Sequence, residues 1–102
     1  MQNKVKEFNK TIVHKKPMPL FARLLDIQSE LGELNKEYLK ATNYGTKEFE
    51  KTDDFEMEFG DVLYALLSAA NETGIDASLA LSRALNKMQS RMQKRNNLGS
   101  GN

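Results

Sequence analysis

The chain has 102 residues, which is long enough for one domain with a modest core and too short for two. Its 15 lysines and arginines nearly balance its 14 aspartates and glutamates, so the net charge of +1 gives no overall attraction to nucleic acids or membranes. The absence of cysteine excludes disulfides, zinc–thiolate sites and thiol catalysis, and a single histidine excludes the paired Glu-x-x-His motifs of di-iron bundles.

The first part of the chain predicts two helices separated by prolines. Apolar residues recur at helical spacing over residues 3–15, and Pro17 and Pro19 end this segment. A longer helix is expected over residues 20–43, because large apolar residues recur there alternately every four and three positions. The string Asn43-Tyr44-Gly45 ends it, since Asn and Gly tolerate the left-handed backbone conformation that closes a helix.

The second part of the chain predicts two further helices. Residues 46–51 form a polar connector, and Asp53 with Glu56 three positions later predicts a capping box at the start of the third helix. Gly74 ends that helix, and Asp76 is suited to cap the start of the fourth.

The rest of the sequence predicts the fold class, a C-terminal tail and the location of the protein. No segment shows the alternation typical of strands, so we expect an all-α protein with one domain over residues 1–95. The small, polar residues 96–102 predict a disordered tail. Residues 1–16 lack the continuous apolar core of a signal peptide, and no apolar run approaches the length of a membrane span, so we expect a cytoplasmic protein.

Two short strings repeat one pattern of acid, large apolar residue, glycine and acid. They are Glu30-Leu31-Gly32-Glu33 on the second predicted helix and Glu58-Phe59-Gly60-Asp61 on the third. Residues three apart share a helix face, so each string presents two carboxylates in one direction. Both acid stripes lie one residue before the apolar stripe, at the edge of the core, where two packed helices can bring their acids together. Four converging carboxylates require a cation, and oxygen ligands suit Mg²⁺ or Mn²⁺.

The glycines of the two strings favour a site over an ordinary solvated face. Gly32 and Gly60 lie in helix interiors, where glycine costs about 1 kcal/mol relative to alanine. A helix keeps such a residue where a backbone or a ligand must approach closely. For Asp26 and Glu37, which share the stripe of the second helix, a solvated face is the expected role.

The fourth predicted helix repeats the arrangement with the opposite charge. Lys87 and Arg91 each precede a residue of its apolar stripe, so a basic stripe borders the same core. Acids that hold Mg²⁺ and cations that hold phosphate oxygens together make a site for a polyphosphate. Lys87 and Arg91 are equally suited to interacting with the negative end of the helix dipole, and Asn71 is suited either to a helix end or to a substrate contact.

These motifs resemble those of single-domain MazG-like nucleotide pyrophosphohydrolases, which belong to the all-α NTP pyrophosphatase superfamily. The resemblance covers roughly residues 20–91. It rests on Glu-Leu-Gly-Glu-Leu at 30–34, Glu-Phe-Gly-Asp-Val-Leu-Tyr-Ala-Leu at 58–66, and Ala-Asn-Glu-Thr-Gly-Ile-Asp at 70–76, followed by Asn86-Lys87 and Arg91. It implies a four- to five-helix bundle that is completed by dimerisation, as a homodimer or a tetramer of two dimers.

The resemblance also implies hydrolysis of a nucleoside triphosphate, by water attack at the α-phosphorus, to a monophosphate and pyrophosphate. The cofactor would be Mg²⁺, with Mn²⁺ as an alternative ion. The residues that match the family's motifs are Glu30, Glu33, Glu58 and Asp61 for the metal, and Lys87, Arg91 and Asn71 for the substrate. Glu33 and Glu30 are the candidate catalytic residues, with Glu33 as the candidate acceptor of the attacking water's proton, and the sequence does not decide which of the four acids has that role.

Three other functions stay open. The nearest rival is a phosphoribosyl-ATP pyrophosphohydrolase of histidine biosynthesis, although those proteins have Gly-Glu-Glu and further acids where this chain has Gly32-Glu33-Leu34-Asn35. A non-catalytic helical dimerisation module would keep the bundle without stabilisation by metal. Nucleic-acid binding through the fourth helix is the weakest hypothesis, because its basic run has no interleaved aromatic residues.

Apolar edges at Leu25, Leu63 and Leu67 predict at least a dimer.

Overall fold

The computed structural model describes residues 1–12 and 18–100, the last three of these by their backbone alone. Over these ranges the chain forms α-helices and no strands, so the predicted all-α class is confirmed. The helices are α1 (Gln2–Lys10), α2 (Leu20–Ala41), α3 (Asp53–Thr73) and α4 (Ala77–Ser100). In the part of the chain described, none of the helices combines the length and apolar character needed to cross a bilayer.

The first helix is shorter than predicted. It ends at Lys10 because both the backbone N–H and the hydroxyl of Thr11 bond to the Phe8 carbonyl, which withdraws that carbonyl from the helical ladder. The rest of the predicted segment, with its terminating Pro17, lies outside the described residues apart from Ile12. Pro19 immediately precedes α2, where its missing N–H costs nothing.

The end of α2 follows the predicted left-handed stop. The last helical residue is Ala41, and the buried Thr42 accepts a hydrogen bond from the backbone N–H of Gly45 through its hydroxyl. Asn43, Tyr44 and Gly45 then have φ values of 48°, 59° and 85°. This left-handed turn reverses the chain toward α3.

The start of α3 differs from the predicted capping box. Thr52, rather than Asp53, is the N-cap, and its hydroxyl accepts a 3.0 Å hydrogen bond from the backbone N–H of Phe55. The prediction placed the cap one position too late, so the reciprocal contact from Glu56 does not form. Asp53 and Glu56 instead lie in the first helical turn, where their charges favour the positive end of the helix dipole.

The turn between α3 and α4 is as predicted. Gly74 ends α3 in a left-handed conformation with φ of 72°, and the Asp76 carboxylate accepts a 3.1 Å hydrogen bond from the backbone N–H of Leu79. The far end of α4 is different, because the backbone stays helical through Ser100 and so includes residues 96–100 of the predicted tail. Residues 101 and 102 lie outside the described ranges.

Helix α3 is the centre of the packing, and α2 runs antiparallel to it. Near the start of α2, Arg23 forms a 2.8 Å ion pair with Glu72 from the end of α3. Near the other end, the rings of Tyr38, Phe49 and Phe55 pack together, with centroids 5.3 and 4.9 Å apart. These contacts fix the register in which the two helices meet.

Helix α1 packs on another side of α3. The Asn9 side chain accepts a hydrogen bond from the Tyr64 hydroxyl and donates one to the fully buried Ser68 hydroxyl. At the other end of α1, the Gln2 amide donates to the Ile75 carbonyl and accepts from the backbone N–H of Ala77. Helix α1 therefore holds both α3 and the turn that leads into α4.

The three leucines predicted to form exposed apolar edges differ in how far they are buried. Leu25 is exposed and Leu63 is half-buried, as expected for residues outside the main stripes. The prediction was wrong for Leu67, which is buried. Its side chain lies between α1 and α2 and lines the grooves that α3 forms with each of them.

Helix α4 projects away from the other three. Only its start, at Ala77, Ala80 and Leu81, lines a cleft with α2 and α3, and the side chains of residues 85–96 are all exposed. The radius of gyration is 18.2 Å, whereas a compact domain of this length has about 13 Å. A single chain therefore leaves much of its apolar surface uncovered.

Candidate metal centre

Three carboxylates meet where α2 crosses the middle of α3. One oxygen from each of Glu30, Glu58 and Asp61 lies within 4.8 Å of the other two. Glu58 and Asp61 are three residues apart on α3 and share a face, and the antiparallel α2 presents Glu30 to that face. We call these three residues the acidic cluster.

The fourth predicted ligand, Glu33, lies beside the acidic cluster rather than in it. Its side chain is exposed, and its carboxylate is not among the oxygens that converge. Its charge nevertheless helps to raise the pKa of both Glu30 and Glu58. The structure thus brings together three of the four acids and leaves Glu33 at the open edge.

Burial and neighbouring charges both act on the carboxylates of the acidic cluster. Partial burial raises the pKa of Glu30 above its usual value, and the charges of Asp26 and Asp61 raise it further. The pKa of Glu58 is raised by the same kind of burial and then by the charges of Asp61 and Glu30. In the described part of the chain, the ion pairs all involve acids outside the cluster.

Two acids outside the acidic cluster also raise the pKa values of its glutamates. Asp26 contributes to the raised pKa of Glu30, and Glu37 contributes to that of Glu58, although a solvated face was expected for both. Their sequence signal was the register they share with Glu30 and Glu33, since all four precede the apolar stripe by one residue. Glu37 is also paired with Lys40 at 3.4 Å, so it is partly neutralised.

The acidic cluster fits a small, hard divalent cation. Mg²⁺ binds oxygens at 2.0–2.1 Å, so two ligand oxygens on opposite sides of the ion are about 4.2 Å apart. This distance is slightly shorter than the 4.8 Å within which the three carboxylate oxygens of the cluster lie. The donor set consists of carboxylate oxygens alone, which suits Mg²⁺ or Mn²⁺ better than softer metals. Glu30 and Glu58 are half-buried and Asp61 is exposed, which leaves an open side for water or phosphate oxygens.

The predicted substrate residues lie far from the acidic cluster within one chain. Asn71 follows Asp61 by ten residues on α3, about 15 Å along the axis, and its amide donates to the Gln2 carbonyl, which gives it a role in holding α1. Lys87 lines a groove that includes the α3–α4 turn at Gly74, Ile75 and Asp76, and Arg91 follows it by one helical turn on the exposed part of α4. Neither cation forms an ion pair with an acid in the described part of the chain.

The two helical glycines have no close neighbours in the described structure. A Cβ atom built at Gly32 or at Gly60 would meet nothing within 4 Å. Among the described residues, no part of the chain makes the close approach that the sequence predicted, and Gly60 lines a groove between α3 and α1.

Comparisons with known proteins identify relatives of the chain. A sequence model of the MazG nucleotide pyrophosphohydrolase domain matches residues 5–96. The curated relatives include "Uncharacterized protein YpjD" of Bacillus subtilis (strain 168), which is 37% identical over 82 residues. That alignment covers 78% of this chain and 69% of the relative. No solved structure matches the chain.

Glu58→Gln should stabilise the metal-free protein and abolish its stabilisation by metal. Because the folded-state pKa of Glu58 is raised, wild-type stability is lost as pH rises from the usual glutamate pKa of 4.5 through the raised value. The variant lacks this loss, so its thermal midpoint should exceed that of wild type at about pH 7 and match it at about pH 4. Mg²⁺ at a hundred times its dissociation constant should stabilise wild type by about 2.7 kcal/mol and leave the variant unchanged.

Differential scanning fluorimetry with Mg²⁺, Mn²⁺ and chelator measures these effects. The matched control is Glu56→Gln, two residues away, because Glu56 is exposed and paired with Lys51 at 3.3 Å outside the acidic cluster. The control should respond to metal like wild type. A Glu58→Gln protein that still gains stability from Mg²⁺ would contradict the assignment of the site.

Proposed function

This chain belongs to the MazG nucleotide pyrophosphohydrolase family, and from that premise we propose that it hydrolyses nucleoside triphosphates to monophosphates and pyrophosphate with Mg²⁺ or Mn²⁺. The observation that carries the proposal is the convergence of Glu30, Glu58 and Asp61, whose mutual repulsion a divalent cation would relieve. We also propose that the protein works in the cytoplasm, as a homodimer or as a tetramer of two dimers.

The reaction requires a nucleophile, a proton acceptor and a stabilised leaving group. The oxygen of a water attacks the α-phosphorus, the bond from that phosphorus to the α–β bridging oxygen breaks, and pyrophosphate leaves. Glu33 is the proposed acceptor of the water's proton, because its side chain is exposed and its carboxylate is not among the three that converge. Glu30 would hold the metal and orient the same water.

The metal and the basic side chains would stabilise charge on different parts of the substrate. A divalent ion held by Glu30, Glu58 and Asp61 would withdraw charge from the phosphoryl group under attack. Lys87 and Arg91 are the proposed partners of the departing pyrophosphate, whose oxygens match ammonium and guanidinium donors. Arg91 can bind two phosphate oxygens at once, whereas Lys87 acts as a compact point charge.

The product pattern identifies the reaction. The purified protein should release pyrophosphate and a monophosphate from one or more ribo- or deoxyribonucleoside triphosphates with Mg²⁺, and chelator should stop the release. In ¹⁸O-labelled water the label should appear in the monophosphate, because attack at the α-phosphorus places the new oxygen there. Phosphorus NMR and mass spectrometry measure both. Release of orthophosphate and a diphosphate would refute attack at the α-phosphorus.

The same panel separates the two rival functions. Phosphoribosyl-ATP is included as a substrate, and its exclusive hydrolysis would favour the histidine-pathway enzyme. Failure to hydrolyse any compound, with no change of stability on adding Mg²⁺, would favour the non-catalytic dimerisation module.

Glu33→Gln should separate catalysis from metal binding. Loss of the proton acceptor should lower kcat by about 10²- to 10⁴-fold, while the acidic cluster and its stabilisation by Mg²⁺ remain. Initial rates and thermal midpoints of the same preparations measure the two effects. Glu48→Gln, on the exposed connector, serves as the control and should retain wild-type values of both. Unchanged turnover in Glu33→Gln would remove Glu33 from the reaction.

A further inference from the structure

We infer that Asn9 of α1 is a positioning residue for the acidic cluster, because it fixes the part of α3 that carries Asp61. The inference rests on the proposed function, since it concerns the metal ion that the cluster would hold. In the described structure the Asn9 side chain bonds to Tyr64 and Ser68 and to none of the three carboxylates. Its influence on the metal therefore passes through α3, on which these two residues follow Asp61 by about one and two turns.

Gly60 separates the two carboxylates that α3 contributes to the acidic cluster. It directly precedes Asp61 and follows Glu58 by two residues. Without a Cβ, glycine restricts the helical backbone less than any other residue. A Cβ built at Gly60 would meet nothing within 4 Å, and the residue lines the groove between α3 and α1. Because neither a side chain nor a close described neighbour stiffens α3 here, the position of Asp61 relative to Glu58 depends on contacts further along the helix.

The part of α3 before Gly60 is anchored at the start of the helix. The Thr52 hydroxyl caps this start, and the ring of Phe55 packs on that of Phe49, with centroids 4.9 Å apart. Phe55 lies about one turn before Glu58, so these contacts hold the first carboxylate of α3. They leave the part of the helix after Gly60 to be held by other elements.

The part of α3 after Gly60 is anchored by Asn9. The Asn9 carbonyl oxygen accepts a hydrogen bond from the Tyr64 hydroxyl, and the Asn9 amide donates to the Ser68 hydroxyl at 3.1 Å. Ser68 is fully buried, so breaking the second bond would leave a buried hydroxyl without its described partner, which is costly. Among the side-chain hydrogen bonds that join α3 to other elements in the described structure, these two lie nearest to Asp61.

Helix α1 relies on polar contacts for its register on α3. It has nine residues, none of them buried, and a helix of that length is marginal in isolation. The contacts of Gln2 reach Ile75 and Ala77, which lie at least fourteen residues beyond Asp61. The contacts of Asn9 are therefore the ones through which α1 acts near the acidic cluster.

Mg²⁺ is more sensitive than Ca²⁺ to a displaced ligand at such a site. It requires near-octahedral ligands at about 2.0–2.1 Å, whereas Ca²⁺ accepts irregular sets of oxygens at about 2.3–2.6 Å. Loosening of α3 after Gly60 should therefore weaken the binding of Mg²⁺ more than that of Ca²⁺. A loss of folded protein would instead weaken both by the same factor. The ratio of the two affinities thus separates positioning from overall stability.

The metal affinities of Asn9→Ala test the inference. The probes are Mg²⁺ and Ca²⁺ alone, titrated separately into the full chain and followed by isothermal titration calorimetry. The dissociation constant of Mg²⁺ should rise at least about tenfold, as is typical when a hydrogen bond that orients a metal site is lost, and that of Ca²⁺ by less than about twofold. Asn3→Ala replaces an exposed asparagine of the same helix and should keep both wild-type values.

A second variant removes one of the two bonds and leaves Asn9 in place. Tyr64→Phe deletes only the hydroxyl that bonds to Asn9 and keeps the ring that packs edge-on against Phe8, with centroids 5.9 Å apart. It should shift the ratio of the two dissociation constants in the same direction as Asn9→Ala. The double variant should shift it no further than Asn9→Ala alone, because both substitutions remove the same interaction. Circular dichroism of each variant checks that the helices are retained.

Two results would overturn the positioning role alone. One is an unchanged affinity for Mg²⁺ in Asn9→Ala, and the other is an equal loss of affinity for both ions. A wild type that binds neither ion would overturn the metal centre and this inference with it. A wild type that binds Mg²⁺ but hydrolyses no nucleotide would refute only the proposed function, because the metal affinities test Asn9 without a substrate.

Discussion

The repulsion among carboxylates at the α2–α3 contact is the constraint on which the rest of the structure depends. Packing of α2 on α3 brings Glu30 against Glu58 and Asp61, and burial together with the neighbouring charges raises the pKa of Glu30 and of Glu58. Neutral residues at these positions would avoid the repulsion among the three carboxylates. The presence of the acids is explained if the folded chain binds a cation, because the attraction between the cation and each carboxylate offsets the repulsion among the carboxylates.

The same constraint accounts for the open architecture. A closed bundle would surround the acidic cluster with the chain's own side chains and exclude a polyphosphate. Here α1 and α2 cover two sides of α3, while Phe59 is exposed and Leu66 is exposed at the cleft that α3 shares with α2 and the start of α4. The Gln2 amide holds the turn at Ile75 and Ala77, so α4 leaves the bundle from a fixed point.

Local signals in the sequence predicted most of the helices and much of the candidate site. The left-handed stop at Gly74, the cap at Asp76 and the acid stripes depend on neighbouring residues, and the structure reproduces them. The features that could not be predicted depend on distant contacts. Leu67 is buried because two helices pack on α3, and Asn71 bonds a residue that lies 69 positions earlier. The direction of α4 has no local signal, because neighbouring residues determine only where it begins.

The most direct test of the account is the position of a bound metal. Crystals grown with Mn²⁺ and measured near the manganese absorption edge would reveal the ion by its anomalous scattering. The account predicts an anomalous peak between Glu30, Glu58 and Asp61, with each residue contributing a carboxylate oxygen at about 2.2 Å. A peak elsewhere on the molecule, or none at this cluster with saturating Mn²⁺, would contradict it.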